Sequence, residues 1–325
     1  MGYQGTCGTV TIGGTEYYDG SAYENEGATY LATSPLVYPT PAPSAPTGAI
    51  DGLFSVSSTK QVYFSQGNLQ AVGTTSSSPS SGWTWQFAEH QYDYIGGRSN
   101  GGSEDQTGNN YINGKGSVSN AGTVDLFGWS TNADTNYYGI HNSEDASTYS
   151  GDFVDWGNAI GSGWRTLTPA EWEWILGPSA SPTPGTNCRI SSTVNCVENA
   201  RYAKATVAGK AGLIIFPDSY THPGDVTASE SVNAAGAAYT ANNYDATAWG
   251  KMEAAGAVFL PAAGSRSVVT NNSVQACGVI GGYWSSVVQS DDNAYCLGFQ
   301  PSDIGPAVFN PKRFGASVRL VKEAN

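Results

Sequence analysis

Helical signals are scarce in this chain, and the strongest is the segment TLTPAEWEWILGP at residues 166–178. Thr168 is predicted to be the N-cap and Pro169 the first helical residue. Glu171 follows the cap by three residues, which completes a capping box. Gly177 and the proline after it are stop signals. We therefore expect one short, well-capped helix whose apolar face packs into a core.

Most of the remaining chain alternates apolar and polar residues over short runs. One further helix is predicted at 245–256, where Asp245 is the cap and Gly256 the stop. The segments predicted to be strands are GLFSVSSTKQVYFSQGNLQ (52–70, a hairpin), WTWQFA (83–88), KATVAGKAGLIIFP (204–217, a hairpin), AVFLP (257–261), GGYWSS (281–286), AYCLGF (294–299) and SVRLV (317–321). Two helices among short antiparallel strands predict an α+β fold with long loops, and residues 96–123, rich in Gly, Asn and Ser, are predicted to be a long surface loop.

The C-terminal stretch 295–321 contains two alternating segments around an irregular middle. The apolar residues predicted to face the core are Tyr295, Leu297, Phe299, Val318 and Leu320. Cys296 and Gly298 then point to the opposite face, which we expect to be solvent. Residues 300–316 have no period, and we interpret them as a display loop whose residue types are set by a partner.

Proline marks the domain organisation. The segment PLVYPTPAPSAPTG at 35–48 contains five prolines and is predicted to be an extended linker. It separates a small N-terminal β segment, 1–34, from a main domain, 49–325. Residues 1–34 are too few to bury much core alone, so oligomerisation through 1–48 is one role to consider.

Charge and composition narrow the function classes. The formal net charge is −13 with only 14 Lys and Arg residues, so no basic surface is expected and nucleic acid is not an expected partner. No apolar run approaches the roughly 20 residues of a membrane helix, so insertion into a membrane is not expected either. Few charges with 41 Gly and 19 Tyr are typical of extracellular or virion proteins. The first ten residues lack signal-peptide features, which leaves both a chain made without one and a processed chain open.

Motifs for catalysis are absent from the sequence, and we expect a protein that is not an enzyme. The three histidines are far apart, and no HExxH, GxSxG, P-loop or GxGxxG pattern occurs. No cofactor is expected. The run SDDN at 290–293 can supply oxygen ligands for a structural calcium ion, and a solvated turn is the other interpretation. Of the five cysteines, Cys188 and Cys196 enclose a short loop that a disulfide would close, although five free thiols fit equally well.

Long ordered motifs over about 49–325 resemble one known family. They include GLFSVSSTKQVYFSQGNLQ, WQFAEHQYDYIG, DLFGWS, GWRTLTPAEWEWIL, RYAKATVAGKAGLIIFPDSY, AWGKMEAAGAVFLPAAGSR, GGYWSS and GASVRLV. The chain resembles the major-paralogous-domain proteins of gut bacteria and their phages, which are C-type lectin-like domains of the formylglycine-generating-enzyme branch. The resemblance implies a C-type lectin-like fold and a ligand-binding or adhesin function at a bacterial cell surface or on a phage virion, with an unknown protein or glycan as partner.

Some members of that family are variable proteins of diversity-generating retroelements, whose C-terminal codons are rewritten at adenines. By this resemblance Gln300 and Lys312 are expected to be fixed scaffold positions. The residues expected to form a hypervariable ligand-binding surface are Val287, Val288, Cys296, Gly298, Asp303, Ala307, Val308, Phe309, Phe314 and Ala316.

The sequence departs from related proteins in two ways that bear on its expected function. The segments QPSD at 300–303 and WSS at 284–286 lack the calcium ligands of sugar-binding C-type lectins, so calcium-mediated sugar binding is not expected. The formylglycine-generating enzymes use a closely spaced cysteine pair, whereas Cys277 and Cys296 lie 19 residues apart. An oxidase of that type is the second hypothesis, and a fimbrial or virion decoration subunit is the third.

Overall fold

The computed structural model describes two compact units. Its described residues are 45–73, 83–96, 123–133, 138–140, 149–161, 163–177, 201–227, 238–267 and 273–324, with the backbone of short strands at 9–12, 15–18, 24–25, 28–29, 192–194 and 197–200. The units are Met1–Ser44 and Ala45–Asn325, so the division falls within the proline-rich segment. Cys7, Cys188, Cys196 and residues 97–122 lie outside the described residues.

The described residues combine many short strands with few helices, which is compatible with an α+β or a mostly-β fold. The strands are β1 (Thr9–Ile12), β2 (Thr15–Tyr18), β3 (Glu24–Asn25), β4 (Ala28–Thr29), β5 (Phe54–Ser55), β6 (Gln61–Phe64), β7 (Leu69–Gly73), β8 (Trp83–Phe87), β9 (Thr123–Val124), β10 (Trp164–Thr166), β11 (Ser192–Val194), β12 (Val197–Ala200), β13 (Tyr202–Val207), β14 (Lys210–Ile215), β15 (Asn243–Tyr244), β16 (Val258–Pro261), β17 (Ser265–Ser267), β18 (Ser273–Gln275), β19 (Gly281–Val288), β20 (Asn293–Gln300), β21 (Asp303–Pro311) and β22 (Leu320–Glu323). The helices are α1 (Gly157–Ile160), α2 (Pro169–Leu176) and α3 (Ala246–Ala254), with a 3₁₀ turn at Tyr239–Ala241.

The strands pair mainly with their neighbours in sequence. In the first unit, β1 pairs with β2 and β3 with β4. In the second, the larger sheets have the orders β10-β22-β6-β5, β8-β7-β9, β15-β13-β14-β16 and β19-β20-β21. The last strand of the chain, β22, lies between β6 and β10, so the C-terminus is built into the first sheet. The hairpins predicted at 52–70 and 204–217 are confirmed.

Helix α2 begins and ends as its capping signals predict. Thr168 accepts a hydrogen bond from the backbone N–H of Glu171, and the Glu171 side chain accepts one from the backbone N–H of Thr168. Gly177 ends the helix with φ at +92°, a conformation that suits glycine. The guanidinium of Arg165 binds both carboxylate oxygens of Glu171, at 2.6 and 2.8 Å, and its Nε donates to Glu323. The helix start is thereby tied to β10 and β22.

Removal of the cap tests this local account of α2. Thr168→Ala is expected to lower the free energy of unfolding by about 1 kcal/mol, because two polar groups at the helix start lose their partners. For a domain of this size that corresponds to a melting temperature lower by about 2–4 °C, measured by calorimetry. Thr59→Ala, at an exposed turn, is the control and is expected to change the melting temperature by less. Equal shifts for the two variants would contradict the cap's role.

The C-terminal sheet lies between two hydrophobic clusters. On one side, which we call the helix face, α2 packs across β19, β20 and β21. Tyr283, Leu297 and Phe299 on that face are buried with Trp172 of the helix. On the other side, which we call the groove face, Trp284 and Cys296 are buried against a second cluster that includes Phe127, Trp129, Ala316 and Val318. The sheet is therefore covered on both sides over much of its length.

This double coverage corrects part of the sequence interpretation. Leu297, Phe299, Val318 and Leu320 are buried as predicted, and Tyr295 is half-buried. Cys296 was expected to face solvent but is fully buried, because the second cluster covers the groove face at that point. Arg319 is also buried, with its guanidinium donating to Gln91 and Asn68.

The interpretation of 300–316 as a display loop was wrong. Nine of these residues form strand β21, which pairs antiparallel with β20 after a tight turn. The pattern looked irregular because β21 contains a bulge. Between the pairs Cys296–Val308 and Gly298–Gly305, β20 has one residue whereas β21 has two, Pro306 and Ala307. An extra residue reverses the alternation of side chains, and a bulge tolerates proline.

Helix α3 begins at the predicted cap, Asp245, whose carboxylate accepts from the N–H of Ala248. Its Trp249 and Met252 pack on β13, β14 and β16 in a third cluster. His222 is buried near this cluster. Its Nε2 lies 2.7 Å from the carbonyl oxygen of Val226 and its Nδ1 lies 3.0 Å from the hydroxyl of Tyr220. A neutral imidazole that donates from Nε2 and accepts at Nδ1 satisfies both contacts.

Acid should destabilise the fold through His222. Burial lowers the pKa of this imidazole below its ordinary value of 6.5, although the bond to Val226 opposes the shift. The unfolded chain therefore binds a proton at this histidine at a higher pH than the folded chain does. The free energy of unfolding decreases as pH falls below about 6.5. The slope is smaller than about 1.4 kcal/mol per pH unit, which is the limit for one proton. Urea unfolding at pH 7.5, 6.5 and 5.5 measures this. His222→Gln should lose part of the slope, whereas exposed His90→Gln should keep it, and equal slopes in both variants would refute the assignment.

Candidate functional site

Exposed apolar side chains are concentrated on the C-terminal sheet and the turn that leads into it. Among the described residues, every large apolar side chain that is exposed lies between positions 279 and 309. They are Val279, Ile280, Val287, Val288, Val308 and Phe309. Phe309 is the most exposed, at 55%. Scattered exposed apolar residues need no explanation, but a cluster confined to one sheet is typical of a contact surface.

A groove of about 260 Å³ opens on the groove face of the sheet. The residues that line it are Ser265, Ile280, Gly281, Gly282, Gly298, Phe299, Gln300, Asp303, Gly305, Val308, Asn310 and Phe314. The volume is slightly below the roughly 300 Å³ at which small-molecule pockets begin. The groove therefore fits one side chain or one ring, with apolar walls and amide, hydroxyl and carboxylate groups around them.

Three glycines side by side form the floor of this groove. The register pairs Gly282 with Gly298 and Gly298 with Gly305, so one residue without a side chain lies on each of the three strands. A Cβ atom at Gly282 would meet nothing nearer than Ala316 Cβ at 3.7 Å and Asn310 Nδ2 at 3.9 Å. Glycine in a strand marks places where a ligand or another backbone approaches closely. At the other two glycines the Val308 side chain covers the backbone, since a Cβ atom at Gly298 or Gly305 would lie 2.8 or 2.3 Å from its methyl groups. The floor is therefore open only at Gly282.

Hydrogen bonds hold the walls of the groove in place. Tyr239 donates its hydroxyl to the carbonyl of Val279 at 2.8 Å, and the N–H of Gly264 donates to the carbonyl of Ile280 at the same distance. On the other side, the residue after Phe314 exchanges two backbone bonds with Arg266. The walls formed by Ile280 and Phe314 are therefore attached to buried structure. Because they are already ordered, less conformational entropy is lost when a ligand binds.

The turn between β20 and β21 brings a carboxylate to the rim. Lys204 of β13 donates its ammonium to the carbonyl of Pro301 at 2.8 Å, which fixes the turn from below. Burial lowers the pKa of Lys204, and the negative charge of Asp303 opposes the shift. Asp303 itself is exposed, and its Oδ1 accepts from the N–H of Ile304. The rim therefore carries a carboxylate that solvent and ligands can reach.

The structure separates the predicted site residues into three groups. Gly298, Asp303, Val308 and Phe314 come together around the groove. Val287, Val288, Ala307 and Phe309 lie elsewhere on the same sheet, where all but the half-buried Ala307 are exposed. Cys296 and Ala316 are fully buried, because both belong to the second cluster, so their side chains do not reach the surface.

The thiols do not form a reactive pair. Cys277 and Cys296 are not joined in a disulfide, and they pack in different clusters. Burial raises the pKa of Cys296 to about 12, so this thiol stays protonated at neutral pH. The thiolate is the nucleophile in cysteine chemistry, so the arrangement does not favour the oxidase alternative.

The acidic side chains in the turn before β20 do not form a cluster that could hold a metal ion. Asp291 and Asp292, in the segment predicted as a calcium site or a solvated turn, are both exposed. Within the described ranges, no three His, Cys, Asp or Glu side chains gather where they could hold a metal ion. No helix in the described part of the chain is long and apolar enough to cross a bilayer.

No family model, curated protein or solved structure matches this chain.

Sequence reasoning missed several groove residues. They are Ser265, Ile280, Gly282, Gly305 and Asn310. The signal for the glycines was present, since glycine is unfavourable inside a strand and suggests close approach of a partner. It identified no site because the three positions become neighbours only once the register of β19, β20 and β21 is known.

Proposed function

We propose that Ala45–Asn325 is a non-enzymatic ligand-binding domain with a C-type lectin-like fold. Its binding surface is the groove together with the edge strand β21, whose Val308 lines the groove and whose Phe309 points to the other side of the sheet. The family resemblance of the sequence supports this fold, as does a C-terminal sheet of short antiparallel strands backed by a helix. The setting we propose is a bacterial cell surface or a phage virion, and assembly through residues 1–48 stays a prediction.

One observation carries the proposal. The large exposed apolar side chains of the described residues all belong to a single sheet and its entry turn, and that sheet also contains the groove. Exposed apolar side chains tend to be avoided where they serve no contact, particularly on edge strands such as β21, where they favour aggregation. A surface that keeps Val308 and Phe309 exposed there is explained by a partner that covers them.

The proposed hypervariability concerns the exposed subset of the predicted positions. Side chains such as Val287, Val288, Val308 and Phe309 contact solvent, so substitution there costs the fold little. Cys296 and Ala316 pack in the core and are withdrawn from the variable set. The neighbouring DNA tests this part. A near-copy of the codons for 284–321 that differs at adenines, beside a reverse transcriptase gene, is expected, and its absence would leave an invariant binding protein.

Ligand binding itself is tested by a screen of the purified chain against peptide and glycan arrays. The expected result is saturable binding to a restricted set of probes, weakened when Gly282→Ala narrows the groove. Binding to no probe in either collection, or binding that Gly282→Ala leaves unchanged, would contradict the proposed site.

A further inference from the structure

The charged side chains within the proposed binding surface all have one sign. Residues 279–311 contain three aspartates, Asp291, Asp292 and Asp303, and no Lys or Arg. All three side chains are exposed. The proposed surface, which we call the patch, therefore carries exposed apolar side chains on both sides of the edge strand β21 and carboxylates at both ends of the sheet.

The nearest lysines lie behind this patch and not at its surface. From there the charge of Lys312 acts on Asp291 and Asp292, and that of Lys204 acts on Asp303. Lys312 is buried, with its ammonium 5.1 Å from the centre of the Trp129 ring. Lys204 is buried beneath the β20–β21 turn and donates to a backbone carbonyl. Arg313, half-buried beside Phe314, is the next cation along the chain. Exposed carboxylates outnumber reachable cations at the patch, and the chain as a whole carries −13.

Such a patch selects among partners by charge. A second copy of this chain would bring the same carboxylates against themselves, since a two-fold interface uses one patch twice. Like charges facing each other oppose association, whereas a cationic partner is steered toward the patch and held in register. A neutral glycan gains nothing from these charges, and an acidic glycan is repelled by them.

The groove adds a requirement of size and polarity. The groove is open down to the backbone of the sheet at Gly282, and Ile280, Val308 and Phe314 supply apolar walls. The volume of about 260 Å³ accommodates a single large side chain. Asp303 on the rim is within the same groove, so a cationic group next to that side chain would meet it.

From these features, and resting on the proposed function, we infer that the ligand is a protein segment that places an aromatic or branched aliphatic side chain in the groove and a flanking Lys or Arg against Asp303.

A selection from displayed random dodecapeptides on the full chain tests this inference. The expected winners combine an aromatic or branched aliphatic residue with at least two Lys or Arg residues. Synthetic copies of them should bind less tightly as salt rises, because exposed charges are screened beyond a Debye length of roughly 8–10 Å. Asp303→Asn should weaken their binding about two- to fivefold, as expected for an exposed ion pair, and reduce the salt dependence.

Matched controls separate the outcomes. Asp51→Asn removes an exposed carboxylate that does not line the groove, and it should leave binding unchanged. Winners that are neutral or acidic, no winners at all, or indifference to Asp303→Asn would overturn the inference. So would a neutral glycan that binds at the groove, although the proposed function would then stand. Winners that bind equally well to a Val308→Ser, Phe309→Ser variant would instead refute the proposed surface.

Discussion

Replacing Val308 and Phe309 together by serine is expected to remove most ligand binding while the melting temperature stays within about 2 °C of the wild type. The side chains are 38% and 55% exposed, so the folded state gains little from burying them. Surface substitutions of this kind usually change the free energy of unfolding by no more than about 0.5 kcal/mol. Val308 lines the groove and Phe309 lies on the other side of the same edge strand, so a partner that wraps around β21 contacts both side chains. Loss of interface contacts of this kind costs about 2 kcal/mol or more, which corresponds to a loss of roughly 30-fold in affinity.

Val318→Ser is the matched control for stability. It makes the same chemical change at a fully buried position, where a hydroxyl enters a hydrophobic cluster. We expect it to lower the melting temperature by many degrees, measured by calorimetry beside the double variant. If the double variant lost as much stability as Val318→Ser, its side chains would be core residues and the assignment of the surface would fail.

Two adjacent glycines should respond in opposite ways to the same substitution. Gly281 and Gly282 lie next to each other in β19 and point to opposite faces of the sheet. A Cβ atom at Gly281 would lie 2.0 Å from Cζ of Phe299, whose ring is buried in the first cluster. Gly281→Ala therefore overpacks the core, and we expect it to cost about 1–3 kcal/mol in the free energy of unfolding.

Gly282→Ala should leave stability unchanged or slightly higher. Its Cβ atom makes only ordinary contacts, and the loss of glycine reduces the entropy of the unfolded chain. The added methyl group lies on the groove floor, so binding should fall roughly tenfold or more, as one misplaced methyl group can cause in a fitted pocket. Urea unfolding and titration with the same peptide measure the two effects. A stable Gly281→Ala protein would contradict the packing, and normal binding by Gly282→Ala would contradict the groove.

Local signals in the sequence were sufficient for α2, α3 and the hairpins at 52–70 and 204–217, whereas the four-residue helix α1 was not predicted. The capping box of Thr168 and Glu171 acts within four residues, so it can be interpreted without knowing the fold. The strand from Asn293 to Gln300 was recognised from its apolar alternation, but alternation cannot show whether the second face is covered. Cys296 is buried because Phe127 and Ala316, which are distant in sequence, pack over it.

The candidate site depends on such distant relations even more strongly. The bulge at Pro306 and Ala307 made β21 resemble a loop, since an extra residue destroys the period of two. The exposed residues Val308 and Phe309 were nevertheless predicted correctly as exposed. The groove could not be predicted, because its glycine floor exists only in the register that aligns Gly282, Gly298 and Gly305.

The most direct test of the binding surface is amide hydrogen exchange of the full chain, with and without a selected peptide at saturating concentration. Slower exchange is expected in three segments, 280–282, 298–300 and 303–310, with little change at the hairpin 202–215, which serves as the internal reference. Protection confined to other parts of the chain, with those three segments exchanging as in the free protein, would contradict the account.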